Sequence, residues 1–244
     1  MHAVPHVPSG ASLRGSTPKD VTVEWIATRV SEGEIVVLTA PFGAGKSLTT
    51  REVFLKLGYT YRESDSSVTP VVLNLREHWG QDDAEEILDR HARKVGFDGR
   101  KELYSAWRAG MVALLIDGFD EVGSQVVANR DNKRFLVEAR YRALRGAREL
   151  IANRAKGSGL LICGRDHYFD SFREMENSLG IADSRQYWVV SLGEFTDKGI
   201  NDYLARAGAS AEVPDWLPRK PLLLAYLLHH QLLEQVLGID GDRG

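Results

Sequence analysis

Eight consecutive residues, Ala40, Pro41, Phe42, Gly43, Ala44, Gly45, Lys46 and Ser47, set an ammonium and a hydroxyl at the end of a glycine- and alanine-containing run. In such a run the backbone N–H groups can close on phosphate oxygens, while the lysine reaches the outer phosphates and the serine hydroxyl ligates Mg²⁺. Ala40 stands where the strict form of this phosphate loop has its first glycine, so the relaxed form, with alanine or glycine first, is the one met. Leu48, beside Ser47, completes the expected nucleotide-contacting set. Further along, Leu114, Leu115 and Ile116 lead into Asp117, Gly118, Phe119, Asp120 and Glu121. An apolar run of strand length ending in an acid puts Asp117 at the exposed tip of a buried strand, where it can anchor the hydration shell of Mg²⁺. Asp120 and Glu121 follow as the acids that orient or deprotonate water.

These residues need elements to hold them. The apolar stretch 34–39 reads as a buried strand feeding the loop, and 47–57 as the helix leaving it, the strand–loop–helix setting that a phosphate loop requires. A short amphipathic helix over 21–30 precedes that strand. A second strand at 71–75 follows Pro70, and helices are expected over 82–95 and 101–109, the first with Ala84, Ile87, Leu88 and Ala92 on one face. After the acidic strand, Leu136, Ala139, Ala143, Ala147, Leu150 and Ile151 keep helical spacing and predict one long surface helix over 133–154. Strands at 160–164 and 187–192 complete the set. Strands alternating with helices mean a parallel sheet covered by helices on both faces, an α/β P-loop NTPase architecture. Amphipathic helices over 195–207 and 221–237 then form a small helical subdomain. The expected organisation is a disordered tail over 1–18, rich in Pro, Ser, Gly and His, a nucleotide-binding domain over 19–193 and the helical subdomain over 194–244, in a chain that is a portion of a longer protein.

Composition bounds the function classes. With 244 residues, 43% hydrophobic and 27% charged, the chain can bury a sizeable core. Its single cysteine, Cys163, lies in an apolar run, so there is no disulfide framework; core packing and a cytoplasmic, reducing compartment are expected. No apolar stretch approaches the ~20 residues of a membrane span, and the N-terminus lacks a basic region followed by an apolar one. A net charge of −3 gives no global attraction to nucleic acid. Arg130, Lys133, Arg134, Arg140, Arg142, Arg145 and Arg148 are interleaved with Asp131, Glu138 and Glu149, and no aromatic stacking set accompanies them. They read as a solvated helix face, with nucleic-acid contact kept as the lesser alternative. Histidines 78, 91, 167, 229 and 230 show no metal-ligand spacing with the cysteine.

The phosphate loop, the stretch Thr-Pro-Val-Val-Leu-Asn-Leu-Arg-Glu at 69–77, the Asp-Gly-Phe-Asp-Glu element at 117–121 and the Leu-Leu-Ile-Cys-Gly-Arg segment at 160–165 together resemble a NACHT domain, of the STAND class of P-loop ATPases. The resemblance continues through Val190-Ser191-Leu192-Gly193-Glu194-Phe195 and Lys220-Pro221-Leu222-Leu223-Leu224, covering about residues 20–235. It departs at Ala40 and at Cys163-Gly164, where Thr-Ser is usual before Arg165. The resemblance implies that the strand ending at Arg165 lies between the phosphate-loop strand and the acidic strand, so that this arginine faces the terminal phosphate and joins Lys46, Asp120 and Glu121 in catalysis. It implies that Pro221 packs near the base, that Ser47 and Asp117 hold Mg²⁺, and that the nucleotide is ATP, with GTP open. The implied function is slow hydrolysis by a nucleotide switch that controls oligomerisation or signalling, in bacterial or innate-immune-type defence, with self-association or an effector or sensor region as partner. Two alternatives stand beside it: a non-hydrolysing, nucleotide-bound scaffold for partner binding, and a DNA-handling P-loop ATPase.

Overall fold

Parallel strands buried on both faces need continuous apolar runs, and the central strands of this protein have them. The computed structural model describes residues 21–63, 68–99, 101–122, 133–182, 187–209 and 213–238. The tail expected over 1–18, together with Arg130 and Asp131, lies outside the described residues. Five strands, β1 (Ile35–Thr39), β2 (Thr69–Asn74), β3 (Val112–Asp117), β4 (Leu160–Gly164) and β5 (Tyr187–Ser191), form one sheet in the order β2-β3-β4-β1-β5. All pairings are parallel. β4 therefore lies between β1 and β3, and the three strand ends that carry the motif residues are neighbours. Pro70 falls inside β2 rather than before it, which the sheet tolerates because β2 is an edge strand.

Alternate side chains of each strand build two cores. Val36 and Leu38 of β1 pack with Ile26, Ala27 and Val30 of α1 (Val23–Ser31) and with Val53 and Leu57 of α2 (Lys46–Glu63). Ile35 and Val37 face the other side. There they meet Ile87 and Leu88 of α3 (Ala84–Lys94), Trp107 of α4 (Glu102–Arg108), Ala147 and Leu150 of α6 (Arg145–Ala152), and Met175 and Leu179 of α7 (Phe172–Leu179). A third cluster, Phe195, Ile200, Leu204, Leu217, Leu224, Leu227 and Leu233, joins α8 (Asp197–Arg206), α9 (Pro221–His229) and α10 (Leu233–Gly238). Among the described residues no helix is long and apolar enough to cross a membrane.

Two single helices expected from the sequence are each two. The stretch 133–154 breaks at Leu144 into α5 (Lys133–Ala143) and α6. Leu144 is fully buried, and a Cβ on Gly146 would stand 2.5 Å from the Gln81 carbonyl oxygen. That close approach draws α6 onto the sheet, where it buries Ala147, Leu150 and Ile151, while α5 stays on the rim. The stretch 221–237 breaks after α9, where Gln231 adopts φ 57° and the Leu232 N–H donates to the Leu227 carbonyl at 2.8 Å. This left-handed closure of a helix end turns the chain so that Leu233 returns to the third core. The helix leaving the phosphate loop runs six residues beyond its expected end, to Glu63.

Candidate functional site

The loop between β1 and α2 takes its shape from its glycines. Gly43 has φ 79° and Gly45 φ 97°, left-handed values that a side chain resists. Ala40 needs no such freedom: it is buried, its φ is not positive, and its N–H donates to the Gly164 carbonyl at 3.2 Å. An alanine is thus accommodated where the strict motif has glycine. The Lys46 ammonium donates to the carbonyls of Ala40 at 2.9 Å and Pro41 at 3.2 Å, curling back over the loop it follows.

Beside the loop, the tips of β3 and β4 are tied together. The N–H groups of Gly118 and Phe119 both donate to the Cys163 carbonyl at 3.0 Å. Phe119 is fully buried, with its ring 5.7 Å from Tyr168 and 5.3 Å from Phe169. A Cβ on Gly164 would lie 2.3 Å from that ring, so Gly164 is the residue that makes room for Phe119. Cys163 is buried with its thiol 3.1 Å from the Thr50 hydroxyl, and burial pushes its pKa up to about 12, which makes it an inert packing group.

Once Phe119 is fixed, its neighbours diverge. Asp120 turns toward β4: one carboxylate oxygen accepts from the Arg165 backbone N–H at 3.1 Å, and the other forms an ion pair with the Arg165 guanidinium, 2.9 Å from Nε. The Arg165 guanidinium also lies 5.7 Å from the centre of the Phe42 ring. Glu121 folds back over Gly118, its carboxyl carbon 3.3 Å from where a Cβ on that glycine would be. The sequence left these two acids interchangeable; the structure separates them.

The described arrangement encloses a cleft of about 370 Å³. Phe42, Gly43, Gly45, Lys46, Ser47, Leu48, Asp117, Asp120, Glu121, Arg165 and Pro221, all singled out from the sequence, line it. Ala40, Pro41 and Ala44 shape the loop without lining the cleft. Sequence reasoning missed Gly118, Tyr203, Leu222 and Ala225, which also line it. Leu222 and Ala225 share α9 with Pro221 and follow from its placement. Tyr203 comes from α8, where its spacing marks it only as a helix-face residue; burial raises its hydroxyl pKa. The Leu222 N–H donates to the Gly43 carbonyl at 3.1 Å, so α9 sits directly on the loop.

A parallel sheet, a glycine loop between β1 and α2, and an acid at the tip of β3 two strands away define the architecture. It is a P-loop NTPase fold. No family model and no curated protein matches the chain. Among solved structures it is similar to the ORC2 protein of Aeropyrum pernix in its ADP form, at 14% identity and TM-score 0.44 over 75% of this chain and 49% of that one. The same protein in ADPNP-ADP complexes gives 12% identity and TM-score 0.45 over the same shares. The HORMA:CdnC:Trip13 complex of E. coli MS115-1 gives 15% identity and TM-score 0.46 over 86% of this chain and 75% of the other. The chain spans about half the length of the ORC2 chains it matches. Such likeness is one of fold alone.

Proposed function

We propose that the protein is a nucleotide switch of the NACHT type, which binds a nucleoside triphosphate with Mg²⁺ and hydrolyses it slowly. The observation that carries this reading is the cleft itself: Lys46, Ser47, Asp117, Glu121 and Arg165 line one wall region, and Pro221, Leu222 and Ala225 of a separate helical core line another. The left-handed glycines leave backbone N–H groups without intervening side chains, the cradle that phosphate oxygens fit. Ser47 and Asp117 offer a hydroxyl and a carboxylate, the hard oxygen donors that suit Mg²⁺. When bound, Mg²⁺ would neutralise charge on the phosphates.

The remaining work falls to side chains of this chain. Lys46 exchanges its two loop carbonyls for phosphate oxygens, Arg165 offers its guanidinium to the terminal phosphate, and Glu121 orients and deprotonates the attacking water. Pro221, Leu222, Ala225 and Tyr203 supply an apolar wall against which a base would pack, with ATP favoured by the resemblance and GTP left open. Both departures from the family pattern are accommodated structurally, since Ala40 fits its backbone and Gly164 makes room for Phe119. The DNA-handling alternative is the weaker reading, because four basic residues of α5 and α6 have partners within the protein. Arg140 pairs with Glu174 at 3.0 Å, Arg142 with Glu138 at 2.5 Å and Arg145 with Asp82 at 3.3 Å, while the Arg148 guanidinium stacks 3.7 Å from the centre of the Tyr141 ring.

The test is titration calorimetry of ATP and GTP, with Mg²⁺, into the parent protein and Lys46→Ala. The substitution removes a charged donor and no core volume, and it is expected to weaken binding by about a hundredfold or more. Affinity kept within a few-fold of the parent overturns the assignment.

A further inference from the structure

We infer that Asp120 is a positioning residue which clamps Arg165 at both ends of its side chain, so that the guanidinium edge left over is a fixed fork for the third phosphate of a nucleoside triphosphate. The inference rests on the nucleotide reading above and gives Asp120 a role other than that of a base.

Both carboxylate oxygens of Asp120 are engaged by one residue, one through a hydrogen bond from the Arg165 backbone N–H at 3.1 Å and the other through an ion pair with its guanidinium, 2.9 Å from Nε. Holding the backbone and the far end of the side chain together restricts every torsion between them. The clamp is itself anchored, because the paired N–H groups of Gly118 and Phe119 on the Cys163 carbonyl fix the tip of β3 against the tip of β4. Phe119, wedged against Gly164, allows that tip no other seat. Asp120 is also withdrawn from water, with a side chain only 8% exposed against 43% for Arg165. A general base needs an oxygen directed at solvent or substrate, and here one oxygen accepts a backbone hydrogen bond while the other is paired with the guanidinium.

Nε is one of five N–H donors on a guanidinium; the other four, on the two terminal nitrogens, have no hydrogen-bond partner among the described residues. The Phe42 ring beside the group limits its swing out of the cleft. An arginine held in this way loses little rotamer freedom when it binds a phosphate in bidentate fashion. Its charge is also offset by Asp120, so recognition depends on a ligand oxygen reaching the fork rather than on general attraction to anions. That favours a triphosphate over a diphosphate, which shares every contact except the last.

The experiment measures dissociation constants of a non-hydrolysable ATP analogue and of ADP, both with Mg²⁺, for the parent, Asp120→Asn, Arg165→Ala and the double variant. The expected result is a fall of about tenfold in the triphosphate-over-diphosphate preference of Asp120→Asn, with ADP affinity held within about twofold and no further fall in the double variant. Arg165→Lys keeps the charge but loses Nε and the planar fork. It should lose the same preference, and it serves as the readout if Asp120→Asn does not fold. A parent that binds both nucleotides, with its preference intact in Asp120→Asn or in Arg165→Lys, overturns the inference alone. Turnover abolished in Asp120→Asn at unchanged preference also overturns it and returns Asp120 to the role of base. A parent that binds neither nucleotide overturns the functional reading and this inference together.

Discussion

Glu121 carries the chemistry in this reading because its neighbour cannot. Adjacent acids on one strand end have equal claims until their partners are known, and Asp120 has spent both oxygens on Arg165 while Glu121 lies over Gly118 at the cleft. Glu121→Gln is therefore expected to leave nucleotide affinity within a few-fold of the parent and to slow phosphate release by on the order of a hundredfold or more, since an amide cannot accept the proton. A steady-state assay checks this, and turnover that survives the substitution would remove Glu121 from the mechanism. The residue types at this site were legible in the sequence, down to the order of lysine, serine and acids. Which acid faces which strand was not, because Asp120 and Arg165 meet only when β4 lies beside β3. The same holds for the unusual Cys163-Gly164 pair, whose glycine is explained by an aromatic ring that the sequence places far from it.

Strands and the loop between β1 and α2 were readable at the scale of elements because their signals are local: apolar runs, glycines and a terminal acid. The helix breaks were not, since periodicity runs smoothly through Leu144 and no glycine or proline marks Gln231. Tertiary contacts, the close approach of Gly146 to the Gln81 carbonyl and the return of Leu233 to its core, decide them. One junction between elements also predicts a pH response. His78, on the turn after β2, and His91, on α3, are buried with ring centres 5.9 Å apart. The Gln81 amide, donating to Glu86 at 3.2 Å, turns its oxygen to His78 Nδ1 at 3.0 Å, while His78 Nε2 and His91 Nδ1 are buried without partners. Burial lowers both pKa values from 6.5; Lys94 opposes each imidazolium, as do Arg90 at His78 and His78 at His91, while the Gln81 hydrogen bond to His78 and the charge of Glu77, itself bridged to Lys94 at 2.5 Å, pull the other way without overcoming burial. The unfolded chain then binds more protons than the folded one. Stability is full above the unfolded value of about 6.5 and is lost as pH falls from there through the lowered folded values. Urea midpoints between about pH 7.5 and 5 should fall in the parent and fall less in His91→Leu, which cannot charge. Equal slopes for the two proteins would assign the acid loss to other groups.

The whole molecule joins a two-faced sheet to a separate helical core through a contact at the nucleotide loop. Leu222 donates its N–H to the Gly43 carbonyl at 3.1 Å, and its Cβ would lie 3.2 Å from one built on Gly43, so the loop and α9 cannot move independently without breaking that contact. A ligand that touches Arg165 on one side and Pro221 on the other can shift the balance between two arrangements of these units only by its differential affinity for them. Triphosphate and diphosphate differ at the Arg165 end alone. They should therefore give distinct protection of α8 and α9 in amide hydrogen exchange, by about tenfold or more in rate at the most responsive amides. Arg165→Ala should remove the difference at a modest cost in affinity, because Lys46, the loop N–H groups and Ser47 still hold the phosphates common to both ligands. Identical protection of the parent in the two nucleotide states would eliminate the switch and leave a nucleotide-bound scaffold whose helical core serves a partner without reporting on hydrolysis.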